Sequence, residues 1–239
     1  EDQLRRVALA GPTHTRFLAA GYVTVTGTHR DRNKDPQAPA VRDCVAVVEH
    51  VKKMPGVDPN SVTVMGGSGG GSLVLEVAGE TQVAAGAAGE PATILFMGMM
   101  NKDTPKTRPG EFTTTDARIY MKEPRRYYTP EVQRFTREKI KRIAAPIFIA
   151  HGDNSPASLL PINELLMEEM KAVGKPADFI LYPKQPHGFY FGRTGDQAMG
   201  LKFFLDCTTF FARHVKTKPV AIDSSLISQT VSKPTNTPQ

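Results

Sequence analysis

The sequence predicts an α/β domain whose mainly parallel sheet carries helices on both faces. Strand-length runs of β-branched and apolar residues alternate with segments whose apolar residues recur at helical spacing. No short Gly or Asn turn joins neighbouring runs as a hairpin, so successive strands need crossover connections. One strand-to-helix junction, "SVTVMGGSGGGSLVLEVAG" (61–79), packs five glycines around a single serine, a composition that weakens both flanking elements and therefore needs a reason.

In chain order, "RRVALAG" (5–11) is a strand candidate and "HTRFLAAG" (14–21) a helix closed by its glycine. "YVTVTGT" (22–28) alternates β-branched residues and reads as a strand. "APAVRDCVAVVEHVKKM" (38–54) carries apolar residues at helical spacing. "SVTVMG" (61–66) is a strand, "GGSLVLEVAG" (70–79) a helix and "QVAAGAAG" (82–89) a strand of small residues. "APIFIAHG" (145–152) is a strand, "LLPINELLMEEMKAVG" (159–174) a helix, "ADFILYP" (177–183) a strand, and "DQAMGLKFFLDCTTFFARHV" (196–215) the last long helix.

Residues 92–144 interrupt this alternation. Long insertions after strand C-termini lie over the sheet edge where sites form, so the segment is a cap candidate. Met97, Met99, Met100, Phe112, Tyr120, Tyr127 and Tyr128 either line an apolar pocket there or pack the cap onto the body. The expected organisation is one catalytic domain over 1–215, with the insertion at 92–144 and a polar Ser/Thr/Pro-rich tail at 216–239 lying outside the core.

The formal charge of +6 is spread along the chain. Its densest basic stretch, 123–143, also holds Glu131 and Glu138 and reads as a loop and a solvated amphipathic helix, so no nucleic-acid partner is expected. Two cysteines make no disulfide framework, and the six histidines show no metal-ligand spacing. No apolar run reaches membrane-spanning length. No leader is visible, and the start at Glu1 without a methionine is read as processing or trimming, secretion being one route to it.

The glycine run fails both phosphate-loop patterns. The dinucleotide spacing G-x-G-x-x-G meets Ser72 or Ser68 where glycine is required, and no Lys precedes a closing Ser or Thr. It does satisfy G-x-S-x-G from Gly66 to Gly70. A strand that turns sharply into a helix puts the serine in an unfavourable backbone conformation and exposes its hydroxyl at the sheet's C-terminal edge. Small residues two places before and after it avoid a clash. Ser68 is then a nucleophile, and the Gly69 N–H at the helix start is an oxyanion donor. The alternative is a glycine-rich helix start with Ser68 as an ordinary N-cap.

Such a serine needs a base. His14 and His29 read as surface residues, and His50 and His214 as helix-interface residues. His151, ending "PIFIAHG", reads as a buried and structurally bonded imidazole. His187, in "YPKQPHGFYFG" just beyond the last predicted strand, lies on the same sheet edge as Ser68 and is the candidate base.

The pieces "FLAAGYVTVTGTHRDR", "VEHVKKMPGVDPNSVTVMGGSGGGS", "APIFIAHGD" and "ILYPKQPHGFYF" together resemble the α/β-hydrolases, in particular the catalytic domains of prolyl-oligopeptidase-like and dienelactone-hydrolase-like proteins. The resemblance covers most of 16–215. It implies a Ser–His–acid triad that cleaves an ester or amide through an acyl-enzyme, with Ser68 as nucleophile, His187 as base and no metal or organic cofactor. A small ester is the favoured substrate. A peptidase is the alternative, since that type normally carries a propeller for which 239 residues leave no room. A third reading is an inactive binding module on the same fold. Oligomeric state is not legible.

Two departures from the family bear on the site. The usual second donor loop precedes the first helix, where only "ALAGPTHT" stands, making Gly11 a weak candidate. The usual triad acid follows the strand ending at Gly152, but Ser155 occupies its place. Asp153, two residues early, is one candidate acid. Glu90 is the other and is preferred: it ends a small apolar strand, is followed by Pro91, and has one methylene more than Asp with which to reach the histidine. With the standard topology, the helices of Cys44 and Cys207 lie on opposite sheet faces, too far apart for a disulfide.

Overall fold

The computed structural model describes residues 12–27, 38–94, 96–99, 120–155, 159–192 and 194–228. Helix α1 is Pro12–Ala19 and α2 Ala38–Val51. Strand β1 (Thr63–Gly67) leads into α3 (Gly69–Glu80), and β2 (Ala85–Gly89) follows. Short α4 (Pro124–Tyr127) and α5 (Pro130–Arg142) precede β3 (Ile147–Gly152). Then come α6 (Leu160–Ala172), β4 (Asp178–Tyr182), α7 (Gln197–Ala212) and α8 (Ser224–Ser228). The described strands form one sheet in the order β1-β2-β3-β4, each pairing parallel.

Alternation along the central strands divides the core in two. Ala88, Ile147 and Ile149 join Val74, Leu75 and Val77 of α3, Ile140 of α5 and Leu165 and Leu166 of α6 on one face. Ala85, Ala87, Phe148 and Ala150 meet Phe17 of α1 and Phe203, Phe204, Phe210 and Phe211 of α7 on the other. Strands covered on both faces need apolar residues at every position, and β2 and β3 are buried throughout. Cys44 packs with the first cluster and Cys207 with the second, and they are not joined in a disulfide.

Local chemistry sets the helix ends. Thr129 caps α5 by accepting from Val132 N–H, Pro130 opens the helix, Glu131 lies in its first turn, and Lys139, Lys141 and Arg142 fill its last. Asp196 caps α7 through Ala198 N–H. Gly21, at φ 85, ends α1 in the left-handed conformation. The tail is tied back to the body. Lys216 and Thr217 N–H donate to Ser61 Oγ, and Ile222 N–H donates to Ala19 O. Asp58 accepts from Thr217 Oγ1, Ser61 Oγ and Asn60 N–H, which holds its carboxyl down at about 2.

One expectation changes. Residues 22–27 form no strand: they pair with no described strand, and an apolar cavity of about 510 Å³ separates them from β1. Val23, Val25, Val47, Val64 and Val77 line it. Alternating β-branched residues favour extension, but a ladder needs a neighbour within hydrogen-bonding distance. At the flanks of the insertion, which follows β2, the apolar residues take the packing alternative. Ile94, Phe96, Met97, Met99 and Tyr120 are buried in the α3-side core, with Tyr127 and Tyr128 against it. Met100 and Phe112 lie outside the described residues, as do the 5–11 strand candidate and Gly11.

The basic stretch at 123–143 is matched by acids. Arg125 pairs with Glu168, Arg126 with Glu123, Arg137 with Glu169, Lys141 with Glu138 and Arg142 with Glu80. The pair Lys139–Glu76, which joins α5 to α3, is almost fully buried. Burial pushes its carboxyl up and its ammonium down, and each charge partly offsets the other's shift. Lys139→Met strands a buried carboxylate and is expected to cost about 3–5 kcal/mol in urea unfolding, whereas Lys139→Met with Glu76→Leu recovers most of that loss. Additive losses in the double variant would show that the two charges are not coupled.

Candidate active site

Ser68 stands between β1 and α3 with φ 54 and ψ −121, a region where an L-residue is strained. The surrounding backbone fixes that conformation. Its N–H donates to Gly89 O at 2.8 Å, and its carbonyl accepts from Ser72 and Ala92 N–H. A Cβ on Gly66 would lie 2.4 Å from Gly70 O, so the strand passes the helix at glycine distance. Although Ser68 occupies the N-cap position, its hydroxyl makes no capping bond. Gly69 N–H, at the first position of α3, is one of the donors a helix start leaves without an intrahelical acceptor.

Glu90 is the residue after β2, and the register pairs Gly67 with Gly89, so Ser68 and Glu90 leave adjacent strand ends side by side. Glu90 is fully buried and also has a positive φ, 43. A buried carboxylate needs donors on its oxygens. Oε1 accepts from Gly152 N–H at 3.1 Å, and Oε2 from Gly188 N–H at 2.9 Å. His187 Nδ1 lies 2.7 Å from Oε2, at the distance of a charge-assisted bond but without its linear angle. The His187 side chain is 30 % exposed, open on the side away from the acid.

The loop carrying His187 is docked on the end of β3. Asp153 N–H donates to Tyr182 O and Asn154 N–H to Gln185 O. Gln185 Oε1 accepts from Asp196 N–H, joining the loop to the start of α7. The Asp153 carboxylate is exposed and accepts from the N–H of Lys184, which has φ 60. It shapes the turn that leads toward His187. Ser68, Glu90 and His187 thus share one sheet edge, with the direct contact falling on Glu90 and His187.

A second imidazole lies behind the acid. His151 is buried, with Nδ1 2.9 Å from Gly152 O and 3.9 Å from Glu90 Oε1. Its Nε2 has no partner among the described residues. Burial lowers its pKa more than the neighbouring Glu90 charge raises it, and His14 and His214 are lowered by burial too.

A strained serine at a strand–helix elbow, with an acid–histidine contact on the same edge of a parallel sheet, defines an α/β-hydrolase. The Prolyl oligopeptidase family matches residues 29–217, most of the chain, and the chain belongs to that family. It is a serine hydrolase. No curated protein sequence matches it. Carboxyl esterase 2 of the mycorrhizal fungus Tuber melanosporum is similar in structure, at TM-score 0.59 and 16% identity over 85% of this chain and 72% of that one. A thermophilic esterase of the planctomycete Thermogutta terrifontis is similar at TM-score 0.54 and 20% identity, over 80% of this chain and 71% of that one. At such identities the likeness carries the fold.

The buried histidine His151 contributes to the acid limb of stability. Below the ordinary value of 6.5, the unfolded chain takes up protons that folded His151 refuses, so stability rises with pH up to about 6.5 and levels off above it. In thermal melts between about pH 5 and 7, His151→Gln is expected to flatten part of this slope. An unchanged slope would show that His151 does not contribute to it.

Proposed function

We propose that the protein is a carboxylic-ester hydrolase in which Ser68 is the nucleophile, His187 the general base and Glu90 the triad acid. The observation that carries this reading is the buried Glu90 carboxylate 2.7 Å from His187 Nδ1, one strand over from a serine held at φ 54. Ser68 Oγ attacks the ester carbonyl carbon while His187 takes its proton. Glu90 keeps the Nδ1–H tautomer and stabilises the imidazolium. The oxyanion is bound by Gly69 N–H, and Gly11 is the candidate second donor. His187 then protonates the leaving alcohol, and water releases the acid by the same steps. The catalytic unit is residues 1–215 with the insertion at 92–144, and 216–239 forms its peripheral tail.

An ester is favoured because the two structurally similar proteins named above are esterases, and the Thermogutta terrifontis esterase 2 is known phosphonylated by cyclosarin. The family membership favours a peptide substrate as the second reading. Activity on a panel of p-nitrophenyl esters set against proline-containing amides separates the two.

Ser68→Ala is expected to abolish labelling by a fluorophosphonate and to lower ester kcat by several orders of magnitude with the melting temperature nearly unchanged. A wild-type protein that does not label would instead be an inactive module. Glu90→Gln is expected to cost about a thousandfold or more in kcat, and Asp153→Asn far less. The reverse ranking on one activated ester would transfer the acid role to Asp153.

A further inference from the structure

The side chain most closely engaged with the ends of both site-bearing strands is one to which the mechanism gives no task. Tyr190 lies three residues beyond His187, in the 3₁₀ turn Phe189–Phe191, and is 2 % exposed. Its ring lies against the last residues of β1 and β2. A Cβ on Gly67 would fall 2.0 Å from Tyr190 Cε2, and one on Gly89 would fall 2.6 Å from Cγ. Gly67 immediately precedes Ser68, and Gly89 immediately precedes Glu90. The same ring meets the His187 imidazole edge-on, with centroids 6.2 Å apart.

We propose that Tyr190 is a positioning residue, a rigid ring that sets the height of the Ser68 and Glu90 backbones relative to the His187 loop. This inference rests on the serine-hydrolase reading above. Three segments distant in sequence meet on one planar group with only two side-chain torsions, itself wedged against Phe189, Phe191 and Phe203. Its backbone is pinned as well, since Tyr190 O accepts from the buried Thr13 Oγ1 at 2.8 Å, which ties the turn to α1. Ser68 and Glu90 both hold positive φ, so each conformation persists only while its surroundings leave no room to relax. Two strand ends reduced to glycine provide the space that the ring fills. A smaller side chain would leave a void there, and the elbow and the acid would settle toward it independently.

The ring and not the hydroxyl performs this task. Tyr190 Oη is buried and makes no hydrogen bond of full geometry among the described residues, with only the Ser68 backbone N–H, already given to Gly89 O, acting on it. Burial and then the Glu90 charge hold the phenol above its ordinary range against a smaller lowering by the Ser68 backbone, so it stays neutral and does not act as a base. A phenylalanine would keep every ring contact and remove a buried polar atom that is at best poorly hydrogen-bonded.

The test is a comparison of wild type with Tyr190→Phe, Tyr190→Leu and Tyr190→Met, reading ester kcat and KM and the rate constant of fluorophosphonate labelling at Ser68. The labelling rate constant, unlike its end-point, does not depend on how much of a sample is folded. Displacement of reacting groups by about 1 Å costs on the order of a hundredfold, so leucine is expected to lower kcat and the labelling rate constant by about 10–100-fold with KM within about threefold. Methionine serves if the leucine variant does not fold. Phenylalanine is expected to match wild type in both rates and to melt at the same or a higher temperature. Folded leucine or methionine variants with both rates within about twofold of wild type would overturn the inference. So would a phenylalanine loss equal to leucine's, which would assign the effect to the hydroxyl. If wild type itself does not label at Ser68, the hydrolase reading fails and takes this inference with it. If wild type labels and the folded leucine or methionine variants label at the wild-type rate, only the inference falls.

Discussion

A carboxylate withdrawn completely from water must be met by donors, and the donors of Glu90 hold the site together. Gly152 N–H comes from the end of β3 and Gly188 N–H from the loop beyond β4, which also brings His187 Nδ1 to 2.7 Å from the carboxylate. One side chain rooted at the end of β2 therefore ties two other segments to its own strand. Remove those donors and the charge is left buried alone, which is far more costly than the loss of one surface contact. The site thus gains its order from an electrostatic requirement that the fold cannot leave unmet.

The rest of the sheet edge is rigid for a different reason. Ser68 and Glu90 are strained, and strain persists only in a well-packed frame. β2 provides that frame with alanines and glycines, which let α3 approach on one side and the aromatic residues of α7 lie on the other. α3 begins with three glycines, a poor helix start by propensity, and is held by the burial of Val74, Leu75, Val77 and Ala78 and by the buried Glu76–Lys139 pair.

Periodicity and punctuation made the strand–helix alternation from residue 38 onward legible, since both follow from local chemistry. Residues 22–27 were not, because extension is local whereas a strand is a relation to a neighbour. Glu90 could be singled out because a charged residue at the tip of "QVAAGAAG" has no packing reason to be there. His187 could be singled out by the sheet edge its loop must share with Ser68. Tyr190 left no such mark, since "GFYFG" reads as ordinary core aromatics. The available signal lay elsewhere in the chain, in the glycines that end both β1 and β2, but only strand register reveals that Gly67 and Gly89 are neighbours facing one ring.

Register also explains why the longer acid sits on the more distant strand. Parallel strands lie about 4.8 Å apart, so the end of β2 is roughly two strand spacings from the end of β4, where the His187 loop begins. Asp153 starts closer, beyond β3, yet its carboxylate is held by Lys184 N–H and remains exposed. Glu90 crosses the gap along the strand ends, touching Gly152 of β3 with one oxygen and the His187 loop with the other. Its positive φ redirects the chain at the same point, and the following Pro91 limits the alternatives. In the proposed triad, the nearer carboxylate shapes the loop and the farther one orients the base, a division set by which of the two is taken out of water.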